Sequence, residues 1–376
     1  MIDIKNITEQ EIKNLLQRGY ELPFDFNYLH AKQKTLRMAI ETINAKINKN
    51  TQEPNDKKLL KKYKKDLENV TIDFEKIIHL IPNLLHETVP QGKGEYDNPV
   101  IKLGNQNFFN QNNKNHFEIG KPFGLDIDTG VHLAHTRFNL MRGKVAKLHR
   151  KLINLALDFY GEIGYEECYV PNLVNEETMF GTGQYPKFKD ELFTTEGNQK
   201  LFLIPTGEVP LTNIVKNKTF NENEVKQNLM THTPCFRKEV GTYGKDTKGI
   251  IRQHQFEKIE LVKICLPENG LLEFNKMIVD IEDFIKQFGI PYRIIELCAG
   301  DIGFAGYKAY DFELWFPGEQ KYREIATVTW CHDFQARRMN TKVKRANGTK
   351  ELVHTLNGTG LAVGRVLAAI LENNGI

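Results

Sequence analysis

Residues 233–264 read TPCFRKEVGTYGKDTKGIIRQHQFEKIELVKI, two apolar runs on either side of a loop of glycines and charges. The runs have strand composition and the loop has turn punctuation, so the segment predicts two neighbouring antiparallel strands. Alternate residues on a strand share a face. Arg237 and Glu239, at the end of the first run, can therefore point into one cleft, and so can Phe256 and Glu260 on the second. An arginine fork suits a phosphate, and an aromatic face suits a purine base. Each residue also has a bland reading, Arg237–Glu239 as a structural ion pair and Phe256 as core.

Outward from this hairpin the pattern continues. Residues 290–297, and 311–315 with 322–328, read as strands, and 361–372 as a closing helix. On the N-terminal side, 167–171 and 200–204 read as strands and 145–160 as an amphipathic helix. Strands that follow one another by hairpins, with helices set to one side, predict an α+β fold on an antiparallel sheet flanked by helices over 116–376. The Gly/Asn-rich stretch from Gln91 to Asn115 reads as a linker, which divides the chain into 1–98, a linker at 99–115, and 116–376.

Residues 27–80 read differently. Leu60, Tyr63, Leu67, Val70, Phe74 and Ile77 recur at alternating steps of three and four, and Leu29, Leu36, Ile40, Ile43 and Ile47 form a matching stripe. That spacing predicts an antiparallel coiled-coil arm of two helices, about 30–40 Å long. The arm holds twelve Lys/Arg against seven Asp/Glu, a balance of +5, whereas the whole chain carries +3 and the remainder therefore −2. Lys57, Lys58, Lys61, Lys62, Lys64 and Lys65 crowd the second helix near the tip. Charge runs usually only solvate a coiled coil, but the asymmetry suggests a polyanion partner.

With 40% hydrophobic and 26% charged residues among 376, the composition is that of a globular protein large enough for two domains. The first residues carry acids and no apolar run of signal-peptide length, and no window is long and apolar enough to span a membrane. Five cysteines stand apart without a C-x-x-C pair, which argues for reduced thiols in a cytoplasm and against a zinc ribbon. Cys331-His332 is a weak metal candidate. His232, His254, His332 and His354 have no partner spacing and read as structural.

The hairpin, TPCFR-x-E followed by IRQHQFEK-x-E, resembles motif 2 of class II aminoacyl-tRNA synthetases, in the form found in seryl-tRNA synthetases. Residues 164–188, GYEECYVPNLVNEETMFGTGQYPKF, resemble motif 1 and its continuation; 203–213, LIPTGEVPLTN, the serine-recognition loop; 322–339, YREIATVTWCHDFQARRM, the REI…DFQARR stretch; and 354–373, HTLNGTGLAVGRVLAAILEN, motif 3. The likeness covers nearly the whole chain. It implies ATP-dependent activation of L-serine and loading of serine tRNA, with selenocysteine tRNA as a second acceptor.

The resemblance also implies roles. Arg237 would hold the α-phosphate and the serine carboxylate, Glu239 the adenine amino group, Phe256 the adenine ring and Arg365 the γ-phosphate, with Lys238, Ile325 and Ala326 also in the ATP site. Glu324 and Thr327 would ligate Mg²⁺. Thr206, Glu208 and Asn357 would bind the ammonium region, and Glu260 and Thr359 the hydroxyl. The basic arm would bind tRNA through phosphates, and motif 1 would build a homodimer. Gly358-Thr359-Gly360 reads as a turn that lets backbone approach the amino acid, since its spacing to Gly364 is wrong for a dinucleotide fingerprint.

The chain departs from the family where S-S usually follows E-I. Here Ala326-Thr327 is followed by Val328-Thr329-Trp330, so Thr327 keeps a hydroxyl while Val328 and Trp330 are expected to alter the pocket wall. The arm is short, and the chain stops soon after its last helix. Two competing readings follow: a ligase loading a carrier protein, which the arm opposes, and a catalytically impaired paralogue that binds RNA or protein.

Overall fold

The structure, a computed structural model, describes residues 2, 7–106, 110, 113–241 and 248–375. It divides into two compact units, Met1–Pro82 and Asn83–Ile376.

In the first unit α1 (Glu9–Gln17) starts with a capping box, Thr8 receiving the Glu11 amide and Glu11 the Thr8 amide. Helices α2 (Asp25–Asn48) and α3 (Asp56–Ile78) run antiparallel, as the ring pair Phe26–Phe74 at one end and the ion pair Lys46–Asp56 at the other require. Val70 and Phe74 are buried as the heptads predict, but Ile78 takes the place expected for Ile77. The stripe there advances by four because Phe74 packs between Phe26 and His30. The seam is not wholly apolar: Gln33 is buried and donates to the Thr71 hydroxyl at 3.0 Å. Such a pair disfavours any slipped register, in which both groups would lose their partner. All six lysines near the tip are exposed.

The second unit is built on an eight-stranded sheet of β1 (Val100–Gly104), β2 (Glu166–Glu167), β3 (Gln227–Phe236), β4 (Gln255–Cys265), β5 (Tyr292–Glu296), β6 (Lys308–Phe316), β7 (Lys321–His332) and β8 (His354–Ala362). The order is β1-β5-β6-β7-β8-β4-β3-β2, antiparallel except for the β3–β2 edge. One face is covered by α4 (Gly143–Glu162), α5 (Gly270–Lys286) and α6 (Val363–Asn374), whose Ala156, Tyr160, Met277, Phe284 and Val366 pack with Ile259, Leu261, Phe312 and Leu356. The opposite face carries Val262 and Ile264 into a second core beneath the short helix Phe334–Met339. β4 is thus buried on both sides, which leaves its site-facing polar residues no route to water except through a cavity.

Three expectations need correction. The boundary at 98 falls earlier, because Asn83 donates to the carbonyls of Ala305 and Cys331 at 2.9 Å and Leu85 and Val89 pack on Leu297 and Ile302. The start of the expected linker at 99–115 is the edge strand β1, while 107–109 and 111–112 lie outside the described residues. Finally, Gly358-Thr359-Gly360 is no turn but the middle of β8. A Cβ at Gly358 would lie 2.7 Å from Met277 Sδ, and one at Gly360 2.9 Å from Tyr160 Cε2, so α5 and α4 press directly on the strand backbone.

Candidate active site

β3 and β4 pair in register to Phe236↔Gln255, and the pairing continues one step: the Arg237 amide donates to His254 O at 2.9 Å, and His254 Nδ1 lies 2.9 Å from Arg237 O. That extension fixes Arg237 at the mouth of the hairpin. Glu239 follows with φ +51°, a left-handed conformation that a glutamate adopts at a cost and that surrounding contacts must hold. Its carboxylate accepts from Arg252 Nη1 at 2.7 Å.

Arg237, Glu239, Arg252, Phe256, Lys258, Glu324, Ile325, Thr359 and Arg365 line one cavity of about 250 Å³. The three residues on which the nucleotide reading depends, Arg237, Glu324 and Arg365, thus meet. Arg365, from the first turn of α6, places Nη1 3.0 Å from Glu324 Oε1 and 2.9 Å from the Glu324 carbonyl. The Arg365 guanidinium outweighs burial and holds the Glu324 carboxyl below its usual range. Strict alternation would put Glu324 and Thr327 on opposite faces. A register shift against β6, where Glu324 faces Glu313 but Ala326 faces Phe312, leaves Ile325 as an extra residue and turns both to one side. Thr327 Oγ1 then sits 3.4 Å from Glu324 Oε1. Asp311, opposite Thr327, has its carboxyl pushed up by burial and by the Glu324 charge.

A second cavity of about 520 Å³ shares Arg237, Glu239 and Arg252 and adds Thr206, Glu208, Thr329, Cys331 and Asn357. Thr206 donates to Glu260 Oε2 at 2.8 Å and accepts from Lys258 Nζ at 2.7 Å, while Lys258 also pairs with Glu260. Glu208 Oε1 accepts from Gln335 at 2.6 Å and from Asn357 at 3.0 Å. Burial, then repulsion from Glu260, pushes the Glu208 carboxyl up to about 7. Neutral amides solvate it, but among the described residues no cation pairs with it directly; an ammonium entering here would.

Most residues singled out in the sequence converge. Thr206, Glu208 and Asn357 line the second cavity, Thr359 lines the first, and Glu260 is its cross-strand partner. Lys238 lies over the Phe193 ring at 5.8 Å and lines neither cavity, the Ala326 side chain is buried in the helix-facing core, and Thr327 lines neither cavity but stands beside Glu324. Val328 and Trp330, expected in the pocket wall, are also in that core, and Thr329 and Cys331 take the wall instead. Sequence reasoning missed Lys258, Arg252 and Gln335. Lys258 was visible as the middle member of the alternating set 256, 258, 260; Arg252 and Gln335 gave no periodic signal. Among the histidines, His232 pairs with Glu257 at 2.8 Å, and His354 is pushed down to about 3 by burial and by His332.

Comparison with known proteins places this geometry. The family model of the tRNA synthetase class II core domain (G, H, P, S and T) matches residues 187–374. The serine–tRNA ligase of Methylobacillus flagellatus is 41% identical over all of this chain and 94% of its own length, and that of Neisseria meningitidis serogroup C is likewise 41% identical at the same coverage. The crystal structure of seryl-tRNA synthetase from Pyrococcus horikoshii complexed with ATP superposes with a TM-score of 0.85 at 29% identity, covering 99% of this chain and 94% of that one. The cytoplasmic serine–tRNA ligase of Naegleria fowleri in complex with AMP gives 0.85 at 28% identity, covering 97% and 90%. With the expected motifs gathered around one site and relatives matching end to end, the chain belongs to the serine–tRNA ligase family of class II synthetases.

Proposed function

We propose that this protein activates L-serine with ATP and transfers the seryl group to serine tRNA. The observation that carries the reading is the meeting of an arginine-lined nucleotide cavity and a carboxylate-lined amino-acid cavity along a shared wall of Arg237, Glu239 and Arg252. In the first step a serine carboxylate oxygen bonds to the α-phosphorus of ATP, the bond to the bridging oxygen breaks, and pyrophosphate departs. The nucleophile is already ionised, so no base is needed, and alignment and charge neutralisation do the work. Arg237 aligns carboxylate and α-phosphate, and Arg365 holds the γ-phosphate. Glu239 meets the adenine amino group and Phe256 its ring.

Glu208, Thr206 and Asn357 take the ammonium. Glu260 and Thr359 take the hydroxyl and so reject alanine, whose absence of a partner costs about 1–3 kcal/mol per unpaired group. Glu324 and Thr327, oxygen donors side by side, fit Mg²⁺, a hard cation that takes oxygen ligands. When bound, the ion would neutralise charge on the phosphates. In the second step a terminal tRNA hydroxyl attacks the activated carbonyl and AMP leaves.

The six exposed lysines of α3 would meet tRNA phosphates. Exposed Tyr169, Leu173 and Ile163, in and beside the motif 1 segment, support a homodimer, which light scattering tests. No helix among the described residues is long and apolar enough to cross a membrane, and we place the protein in the cytoplasm. ATP–pyrophosphate exchange across a panel of amino acids tests the whole reading: exchange with serine and Mg²⁺ is expected, and its absence would favour a binding paralogue.

A further inference from the structure

Behind the nucleotide cavity lies a buried chain of hydrogen bonds that the reaction does not touch. His116 opens the short helix His116–Gly120 and is 2% exposed; Glu372, in the last turn of α6, is fully buried. Glu372 Oε1 lies 2.8 Å from His116 Nδ1 and also accepts the His116 amide at 3.0 Å, while Oε2 accepts the Gly318 amide at 2.9 Å. On the far side of the ring, Nε2 accepts the amide of Ile250 at 3.1 Å. An imidazole nitrogen that accepts carries no proton, so the ring proton sits on Nδ1 and is donated to Glu372. Gly249 completes the fit: at φ +83° its Cβ would lie 2.1 Å from His116 Nε2, so only glycine lets the backbone come this close.

The segment held in this way is part of the nucleotide site. Ile250, Ile251 and Arg252 line the cavity, and Arg365 Nε donates to Ile251 O at 3.3 Å. Helix α6 therefore grips residues 250–252 twice, through Arg365 in its first turn and through Glu372 and His116 in its last.

We infer that His116 is a positioning residue for the nucleotide: its neutral ring, oriented by Glu372, sets the Ile250 amide and thereby the Ile251 carbonyl and Arg252 against the phosphates. It touches no substrate, and its effect falls more on ATP than on serine, because Ile250, Ile251 and Arg365 line the nucleotide cavity alone while Arg252 lines both. The inference rests on the nucleotide reading of the cavity proposed above.

The test is ATP–pyrophosphate exchange with ATP and serine varied separately, beside thermal unfolding. His116→Asn keeps a donor towards Glu372 but withdraws the acceptor from Ile250, and should raise the KM for ATP roughly tenfold, as expected for one buried amide left unpaired. The KM for serine should stay within about twofold on the same scale. His116→Gln can return an acceptor near the Nε2 position and should recover most of the ATP effect. Gly249→Ala, which pushes the segment off the ring, should reproduce the His116→Asn pattern. An unchanged KM for ATP in His116→Asn, equal shifts for both substrates, no recovery by His116→Gln, or failure of both His116→Asn and Gly249→Ala to fold would each overturn the inference. Wild-type protein without exchange would instead remove the parent reading.

Discussion

The two cavities that meet at Arg237 hold their charges in opposite ways. In the nucleotide cavity the charges are already spent on one another, Arg365 on Glu324 and, where the two cavities join, Arg252 on Glu239. In the amino-acid cavity Glu208 is wrapped in amides and its carboxyl is raised to about 7, short of a cation. A polyanion entering the first must take guanidinium groups away from carboxylates, whereas a cation entering the second supplies what is missing. The first cavity should therefore respond to the loss of an arginine, and the second to pH.

Removing Arg237, one of three side chains common to both, should have the largest effect. Arg237→Ala is expected to lower adenylate formation by about a thousandfold or more, the scale for a preorganised charge on a reacting group. Its melting temperature should stay near wild type, because among the described residues the Arg237 side chain makes one hydrogen bond, to the Pro205 carbonyl at 3.1 Å, and a face-on approach to Phe256. Substantial activity in single-turnover assays would separate the two cavities and break the comparison.

The second effect is a pH dependence of serine binding. Above about pH 7 Glu208 is ionised and meets the ammonium; below it the carboxyl is protonated and must first lose its proton. The KM for serine should then climb up to about tenfold per unit as pH falls below 7, and level off above it. Glu208→Gln should weaken serine binding and flatten that slope. A slope that persists in the variant would assign it to another group.

The smallest expected effect at either cavity is that of the arm. Changing Lys57, Lys58, Lys61 and Lys62 to Ala should leave exchange within about twofold, yet weaken tRNA charging and shallow its salt dependence. Equal losses in both assays would contradict a role confined to tRNA.

The motif 2 hairpin was legible because its strands alternate cleanly and a glycine-rich loop separates them. β8 was not, because Gly358 and Gly360 carry turn composition; what demands them is the pressure of Met277 and Tyr160, far away in sequence. Trp330 illustrates another limit. Counted in twos from Glu324 it falls on the site face, and only the extra residue at Ile325 turns Trp330 into the core and Thr329 and Cys331 to the pocket. Such a bulge leaves no mark in composition. Arg252 was hidden for a similar reason: it lies between strands, where no period assigns a direction. The arm's stripe was readable to within one residue, but Gln33, polar inside an apolar seam, finds its meaning only in Thr71 across the hairpin.

Calorimetric titration with a non-hydrolysable seryl-adenylate analogue is the most direct measure of whether the two cavities act as one site. A single site around Arg237 predicts affinity at least about a hundredfold above that of ATP or serine alone, since one molecule then fills both cavities for a single loss of freedom. An analogue that binds no tighter than ATP, with serine still able to bind beside it, would contradict the account.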